Sequence, residues 1–360
     1  MKILLLGDVS ATDLTTPFFK AKDVKTLFAD TKTLFDASDF SVVNLECAIT
    51  DSENEIKKFG PNLKTPYETA FVLKELGVDC CGLSNNHIFD FGVEGVNDTF
   101  KALKDAGLDC TGFGENYEDA RKNYIINKNG EKIALITVCE HEYSYALPDR
   151  MGARPFDEFD TIEDIRNAKK EADRVVVMYH GGKEHCYYPS PRIRKVCKAM
   201  VKNGADVVLC QHSHCIVSYE EFLGGHILYG QGNFQFCKPH KSEGWHSCLA
   251  VMYDTENNSV EFTPLICDGP SIKIAKGADA EKIMSGFIER NQGLFTDEWK
   301  KGWHEFCESV ISTYHWALKN AGQPDATEKD NQLFGHYLDC EAHTDVWREL
   351  YPTYNLTNEK

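Results

Sequence analysis

The stretch Gln211-His212-Ser213-His214 follows a short apolar run, Asp206-Val207-Val208-Leu209-Cys210, and carries two imidazoles two positions apart. In extended backbone, residues i and i+2 project to the same side, so His212 and His214 are expected to reach one crevice, with the small Ser213 leaving room. Four other apolar runs end in similar groups. Lys2 to Leu6 leads into Gly7-Asp8, Ser41-Val42-Val43 into Asn44-Leu45-Glu46, and Val78 to Leu83 into Ser84-Asn85-Asn86-His87 with Asp90. Val175 to Tyr179 leads into His180-Gly181-Gly182-Lys183-Glu184-His185. Imidazole nitrogen with carboxylate or amide oxygen suits zinc, manganese, iron or nickel, and a bridging carboxylate can hold two ions about 3.5 to 4 Å apart.

Each segment alone has a plainer reading. Asp8 can cap a turn after Gly7, Asn86 and Asp90 can cap the helix after Gly92, and His87 can be a core histidine. Their common position argues otherwise, because the carboxyl ends of parallel strands in an open α/β sheet line one crevice. A metal-type site is therefore expected. Lys183, Arg192 and Arg194 flank the fourth of these loops and are candidates to receive a substrate carboxylate or phosphate; the plainer reading of all three is surface charge. No Gly-x-x-x-x-Gly-Lys-Ser/Thr loop, no Gly-x-Gly-x-x-Gly after the first strand and no Gly-x-Ser-x-Gly elbow is present.

The elements that must position these groups alternate short apolar runs with amphipathic stretches, the pattern of an α/β layered domain. Helices are expected from Pro66 to Gly77, from Val93 onward with Val96, Phe100, Leu103 and Ala106 on one face, over Ile162 to Ala172, and before Gly204. Hairpins are expected at Asn129-Gly130, Gly224-Gly225 and Asn257-Asn258. Strand signals stop near residue 275. Three helices are predicted beyond it, Ala278 to Asn291, Asp297 to Asn320 and Asn331 to Leu350, and Trp299, Trp303, Phe306, Val310 and Trp316 recur there at helical spacing. That stripe reads as packing against the main domain or another subunit, so a homo-oligomer stays open. The domain division is 1–270 and a helical extension, 271–360.

Bulk properties bound the function. The 360 residues are 42% hydrophobic and 26% charged, which describes a soluble globular chain with a polar tail from Thr353 to Lys360. A formal charge of −17 repels nucleic acid and anionic membranes. The opening apolar run stops at Gly7-Asp8, shorter than the ~7 to 15 residues of a secretory core or the ~20 of a membrane span. With no integral membrane segment, a cytoplasmic location is expected. The fourteen cysteines contain no Cys-x-x-Cys pair and lie mostly in apolar runs, as reduced, packed thiols do.

The ordered motifs resemble the metallophosphoesterase superfamily and, more closely, the capsule-synthesis CapA family of poly-γ-glutamate synthesis proteins. The resemblance rests on Gly7-Asp8, Asn44-Leu45-Glu46, Ser84-Asn85-Asn86-His87 with Asp90 and Gly92, His180-Gly181-Gly182 with Glu184, Gly204 to Val208 leading to Gln211-His212-Ser213-His214, and Leu228 to Phe234, and spans roughly residues 1 to 270. It implies a four-layer αββα sandwich with a metal pocket at one edge. It also implies Asp8, Glu46, Asn86, His180, His212 and His214 as ligands of one or two divalent ions (manganese, zinc or iron) and His87 as a group near the reacting atom. Glu184 would be an extra ligand or acid/base group, and Asn233 would hydrogen-bond across the site on its substrate side.

Three positions depart from the broader phosphoesterase pattern. Asp8-Val9-Ser10 lacks the usual histidine, Glu46 replaces the bridging aspartate, and Gln211 stands where a glycine is usual. These departures are more in keeping with CapA-like chains. The expected function is a metal-dependent hydrolase of capsule or poly-γ-glutamate metabolism, with an anionic small-molecule, polyglutamyl or peptide substrate. Phosphomonoester or phosphodiester hydrolysis and a non-catalytic capsule-assembly role are the alternatives, and a related metal-site peptide epimerase is a further one.

Overall fold

The computed structural model describes residues 1–140 and 142–352, so the polar tail from Thr353 lies outside the described residues. Its first sheet begins with β1 (Lys2–Val9), β2 (Phe40–Leu45), β3 (Cys80–Gly82) and β4 (Asp109–Thr111), all parallel neighbours. The second holds β5 (Tyr124–Lys128), β6 (Glu131–Cys139), β7 (Arg174–His180), β8 (Val207–Gln211), β9 (Tyr219–Phe222) and β10 (Gly225–Leu228), with β6, β7 and β8 parallel. The chain then returns to the first sheet: β11 (Asn233–Gln235) pairs with β1, and β12 (Ser247–Asp254), β13 (Ser259–Asp268) and β14 (Ser271–Ile274) extend its antiparallel side.

Period-two alternation stacks these sheets. Leu4 and Leu6 belong to one core and Ile3 and Leu5 to another; Val175, Val177 and Tyr179 likewise separate from Val176 and Met178. The shared middle core joins Ile3, Leu5 and Val42 of the first sheet to Val176, Met178, Val207 and Leu209 of the second. Helices α1 (Glu68–Leu76) and α2 (Gly92–Ala106) cover the outer face of the first sheet through Leu73, Leu76, Ala102 and Leu103. Helices α3 (Asp160–Glu171) and α4 (Pro191–Lys202) cover the second through Ile165, Ala168, Cys197 and Met200. The result is the expected αββα order.

Local chemistry sets several boundaries. Pro191 opens α4 while the Ser190 side chain accepts from the Ile193 amide, and Gly77 closes α1 at φ 115°. Asn129 and Gly130 take the left-handed conformations that a two-residue hairpin turn needs. The Gly224-Gly225 turn is corrected by one residue. Phe222 pairs with Gly225, so exposed Leu223 (φ 51°) and Gly224 (φ 81°) turn the chain. Gly225 is instead needed for packing, since a Cβ there would meet Val201 Cγ1 at 2.6 Å.

Beyond the sheet come α5 (Gly277–Gly293), α6 (Glu298–Asn320), α7 (Glu328–Asp339) and α8 (Glu341–Leu350). The single helix expected over Asn331 to Leu350 is two, broken where Cys340 adopts extended backbone (φ −77°, ψ 127°) with no glycine or proline to announce it. Trp299 joins the second sheet's outer core, and Trp303, Cys307 and Tyr314 pack with Val346. Trp316 is half exposed, against the packing expected of it. No helix among the described residues is long and apolar enough to cross a membrane.

Candidate metal centre

Parallel strands β1 to β3 and β6 to β8 end at the same edge of the sandwich, and the chemistry-bearing loops meet there. Asp8 lies within β1, opposite Asn44 of β2 and Asn233 of β11, rather than in a turn after it. The preceding Gly7 permits this close approach, because a Cβ there would lie 2.0 Å from the Gly232 carbonyl oxygen.

All six sequence-predicted ligands converge. Glu46 is fully buried, and neither of its carboxylate oxygens has a hydrogen-bond partner among the described residues. Around Glu46 Oε1 lie His180 Nε2 at 3.3 Å, His214 Nε2 at 3.8 Å and His212 Nδ1 at 4.0 Å. Asn86 Oδ1 lies 2.9 Å from His180 Nε2, and His212 Nδ1 is 3.2 Å from that same nitrogen. Asp8 Oδ1 accepts from Asn44 Nδ2 at 2.7 Å, while Asp8 Oδ2 lies 3.5 Å from His214 Nδ1. Glu46, His212 and His214 form one group with ligand atoms within 4.8 Å of one another, and Asp8, Glu46 and His180 form a second. Glu46 belongs to both, as a bridging carboxylate would.

An orphaned, fully buried carboxylate is costly unless a cation or donor satisfies it. Three imidazoles, two carboxylates and an amide oxygen fit a borderline divalent ion. Without one, charge is shared among the residues. Burial works against ionisation of Asp8, but His214 and His180 outweigh it and hold the carboxyl well below its usual range. Burial likewise opposes protonation of His214, and Glu46 and Asp8 overcome it.

The route taken by the His-x-His pair corrects the extended-backbone expectation. Strand β8 ends at Gln211, and both His212 (φ 77°) and His214 (φ 52°) are left-handed. The two rings reach the site through a coiled turn, not the pleat of a strand. The helix-cap reading of Asn86 and Asp90 also fails: α2 has no side-chain cap, Asn86 binds His180 and Glu142, and Asp90 binds Lys58, His87 and the Leu63 amide.

The remaining candidates divide. His87, Lys183 and Glu184 line a cavity of about 210 Å³ together with Asn86 and His212. His87 Nδ1 lies 2.7 Å from Asp90 Oδ2, and Glu184 Oε1 lies 3.8 Å from His212 Nε2. Asn233 hydrogen-bonds within the centre: its Oδ1 lies 2.8 Å from His214 Nδ1 while its Nδ2 donates to the Trp245 carbonyl. Arg192 and Arg194 are corrected. They follow the loop in sequence but sit on α4, where Arg192 pairs with Glu140 (2.5 Å) and Asp345 (2.9 Å), and Arg194 with Glu220 (2.9 Å). Their charge is already neutralised.

Four neighbours of the candidate centre escape a reading of strand ends. Asn44 bridges Asp8 and His180, lying 3.0 Å from His180 Nδ1. Glu140 accepts from the Gly182 amide at 2.8 Å and from Tyr179 at 2.5 Å, fixing the turn after His180. Trp245 lies against His214 at 4.6 Å between ring centres. Glu142 accepts from Asn86 Nδ2 at 2.9 Å, and burial pushes its carboxyl up to about 7. Only Asn44 carried a sequence signal, as the first residue of Asn44-Leu45-Glu46.

Residues 2–238 match the family model described as "Bacterial capsule synthesis protein PGA_cap". The chain belongs to that family. It is 35% identical over 235 residues to the capsule biosynthesis protein CapA of Bacillus anthracis, covering 62% of this chain and 56% of the relative. It is 31% identical over 270 residues to the PGA biosynthesis protein CapA of Bacillus subtilis (strain 168), covering 72% and 70%. A probable polyglutamine synthesis accessory protein of Mycobacterium tuberculosis is 28% identical over 278 residues, covering 71% and 72%. Among solved structures, TT1561 of Thermus thermophilus aligns over 72% of this chain and 97% of its own, with TM-score 0.37 and 10% identity. The PGA_cap match contains all six sequence-predicted ligands, whereas Trp245 and α5 to α8 lie beyond it.

Proposed function

We propose that this chain is a metal-dependent hydrolase of capsule or poly-γ-glutamate metabolism, acting on an anionic γ-glutamyl or peptide-type substrate. The observation that carries the proposal is Glu46, a buried carboxylate with no hydrogen-bond partner among the described residues, ringed by His180, His212 and His214. The relatives' names, which refer to capsule and polyglutamate synthesis, supply the substrate class.

Asp8, Glu46, Asn86, His180, His212 and His214 would hold one or two divalent ions, with manganese, zinc and iron the candidates. When bound, such an ion supplies Lewis acidity to an amide carbonyl. The protein supplies the rest. Glu142, buried beside the cavity and bonded to Asn86, suits a group that takes and returns a proton beside the substrate. His87 keeps Nδ1 on Asp90 and has no described partner at Nε2, which leaves that atom for the reacting group. Lys183 pairs with no carboxylate among the described residues and is the cation for a substrate carboxylate.

Protein purified without chelator is expected to carry stoichiometric transition metal that His214→Ala removes, and to release amine from γ-linked glutamate oligomers until EDTA is added. A protein that never retains such a metal would instead fit a non-catalytic assembly role. Metal-dependent turnover of a phosphodiester, with no amide cleavage, would return the reading to a phosphoesterase.

A further inference from the structure

The cavity beside the candidate centre is walled by two parts of the chain far apart in sequence. Asn86, His87, Glu142, Lys183, Glu184 and His212 come from the sandwich, while His336, Tyr337, Cys340, Ala342 and His343 come from α7 and α8. The break at Cys340 lets both helices face the cavity, and Cys340 reaches inward until its Sγ lies 4.0 Å from Glu142 Oε1.

This outer wall is fastened on both sides. The His336 ring lies 5.6 Å from Phe59 and stacks 6.0 Å from Tyr143, and Lys57 pairs with Glu328 at 3.3 Å. On α8, buried Asp345 accepts from Ser190 at 2.6 Å and pairs with Arg192, which in turn holds Glu140 beneath the His180 turn. His336 Nε2 and His343 Nε2 lie 2.9 Å apart, and Tyr314 Oη meets His343 Nδ1 at 2.5 Å, so the wall is bonded within itself.

What remains is a space of about 210 Å³. Pockets for drug-sized ligands run from roughly 300 to 1,000 Å³, so this one takes a compact group and not a length of polymer passing through. Resting on the substrate class proposed above, we infer that α7 and α8 close the outer side of the substrate pocket. The pocket then admits only a free end of an acidic γ-glutamyl chain, with Lys183 receiving a carboxylate at that end.

The test measures binding and cleavage by the full chain loaded with manganese. The probes are γ-linked glutamate tetramers with free ends, with each end blocked singly, and with both ends blocked, together with long polymer. Free-ended tetramer is expected to bind and the doubly blocked form, with the carboxylates of its end residues amidated, to bind about tenfold more weakly or worse, the loss anticipated when a partly buried cation is denied its partner. The single blocks identify which end is taken. Ala342→Trp, which fills the cavity from the wall, is expected to abolish tetramer binding with manganese affinity unchanged; His336→Ala is the second variant if the tryptophan prevents folding, and is expected to let the blocked tetramer in.

Equal binding of blocked and free tetramers, or cleavage of long polymer at internal bonds, overturns the inference and leaves the hydrolase reading standing. Selective binding of a free end without cleavage supports the inference and removes the hydrolase reading. No binding of any probe overturns both.

Discussion

Asn233 fixes which nitrogen of His214 faces Glu46. Because Asn233 Nδ2 donates to the Trp245 carbonyl, its Oδ1 is the atom 2.8 Å from His214 Nδ1 and must accept there. Nδ1 therefore carries a proton in either charge state, and Nε2, 3.8 Å from Glu46 Oε1, is the nitrogen that would take an ion once its own proton leaves. Partners of this kind orient ligand rings, and losing one typically lowers metal affinity ~10- to 100-fold. Asn233→Ala is expected to weaken manganese or zinc binding by about that factor, with circular dichroism unchanged. Calorimetric titration of the metal-free protein checks it; wild-type affinity in the variant would remove the orienting role.

Glu46 gives a stability prediction with two signs. In the metal-free protein its buried carboxylate has no hydrogen bond among the described residues, and the imidazoles 3.3 to 4.0 Å away can shed their protons when it is neutralised, so Glu46→Gln should melt no lower than wild type. Added metal should then separate the two proteins. An ion at 100 times its Kd stabilises the native state by about 2.7 kcal/mol, a gain wild type should show and Glu46→Gln should not. Thermal melts with EDTA and with manganese measure both, and equal metal-induced shifts in the two proteins would count against Glu46 as a ligand.

The six candidate ligands could be read from sequence because each stands at or just past the end of an apolar run, and parallel strands bring such ends together whatever their separation along the chain. Their geometry could not be read in the same way. His212 and His214 reach the site through left-handed backbone that no glycine announces. Arg192 and Arg194 show the opposite error, since nearness to the loop in sequence suggested a binding role while their place on α4 gives them Glu140, Asp345 and Glu220 as partners. Glu142 was hidden for a third reason. It follows β6 by three residues, and its carboxyl is raised by burial in a place where Cys340, arriving from another part of the chain, lies 4.0 Å away.

Acidification should loosen the outer wall. Burial is the largest cause holding His336 down to about 4 and His343 well below the ordinary 6.5, with Lys183 adding to both. An undocked wall exposes imidazoles with ordinary pKa values, so below about pH 6.5 it binds more protons than the docked one. Docking stability is therefore complete above that pH and declines as pH falls toward about 4. Hydrogen exchange across residues 328–350 between pH 7.5 and 4.5 should show protection lost in this window. A His336→Gln, His343→Gln double variant should flatten the response; an unchanged slope in it would assign the effect to other groups.

Arg192 joins the wall to the metal loop. Its guanidinium lies between Glu140 and Asp345, whose side chains are only 4% and 5% exposed, so its removal leaves two carboxylates buried without their cation. Breaking a buried pair from one side typically costs ~3–5 kcal/mol, and Arg192→Met is expected to lose that much in urea unfolding. Asp345→Asn should cost less, because Arg192 retains Glu140 and Ser190 can still bond to the amide. The two substitutions should also differ at the centre. Glu140 holds the Gly182 amide, so Arg192→Met should disturb the turn carrying His180 and lower metal affinity, whereas Asp345→Asn should free α8 and leave metal affinity near wild type. If both variants lose metal equally, Asp345 acts on the centre itself and not only on the wall. If Arg192→Met costs under about 1 kcal/mol, the size of a surface pair, the guanidinium is not the link between them.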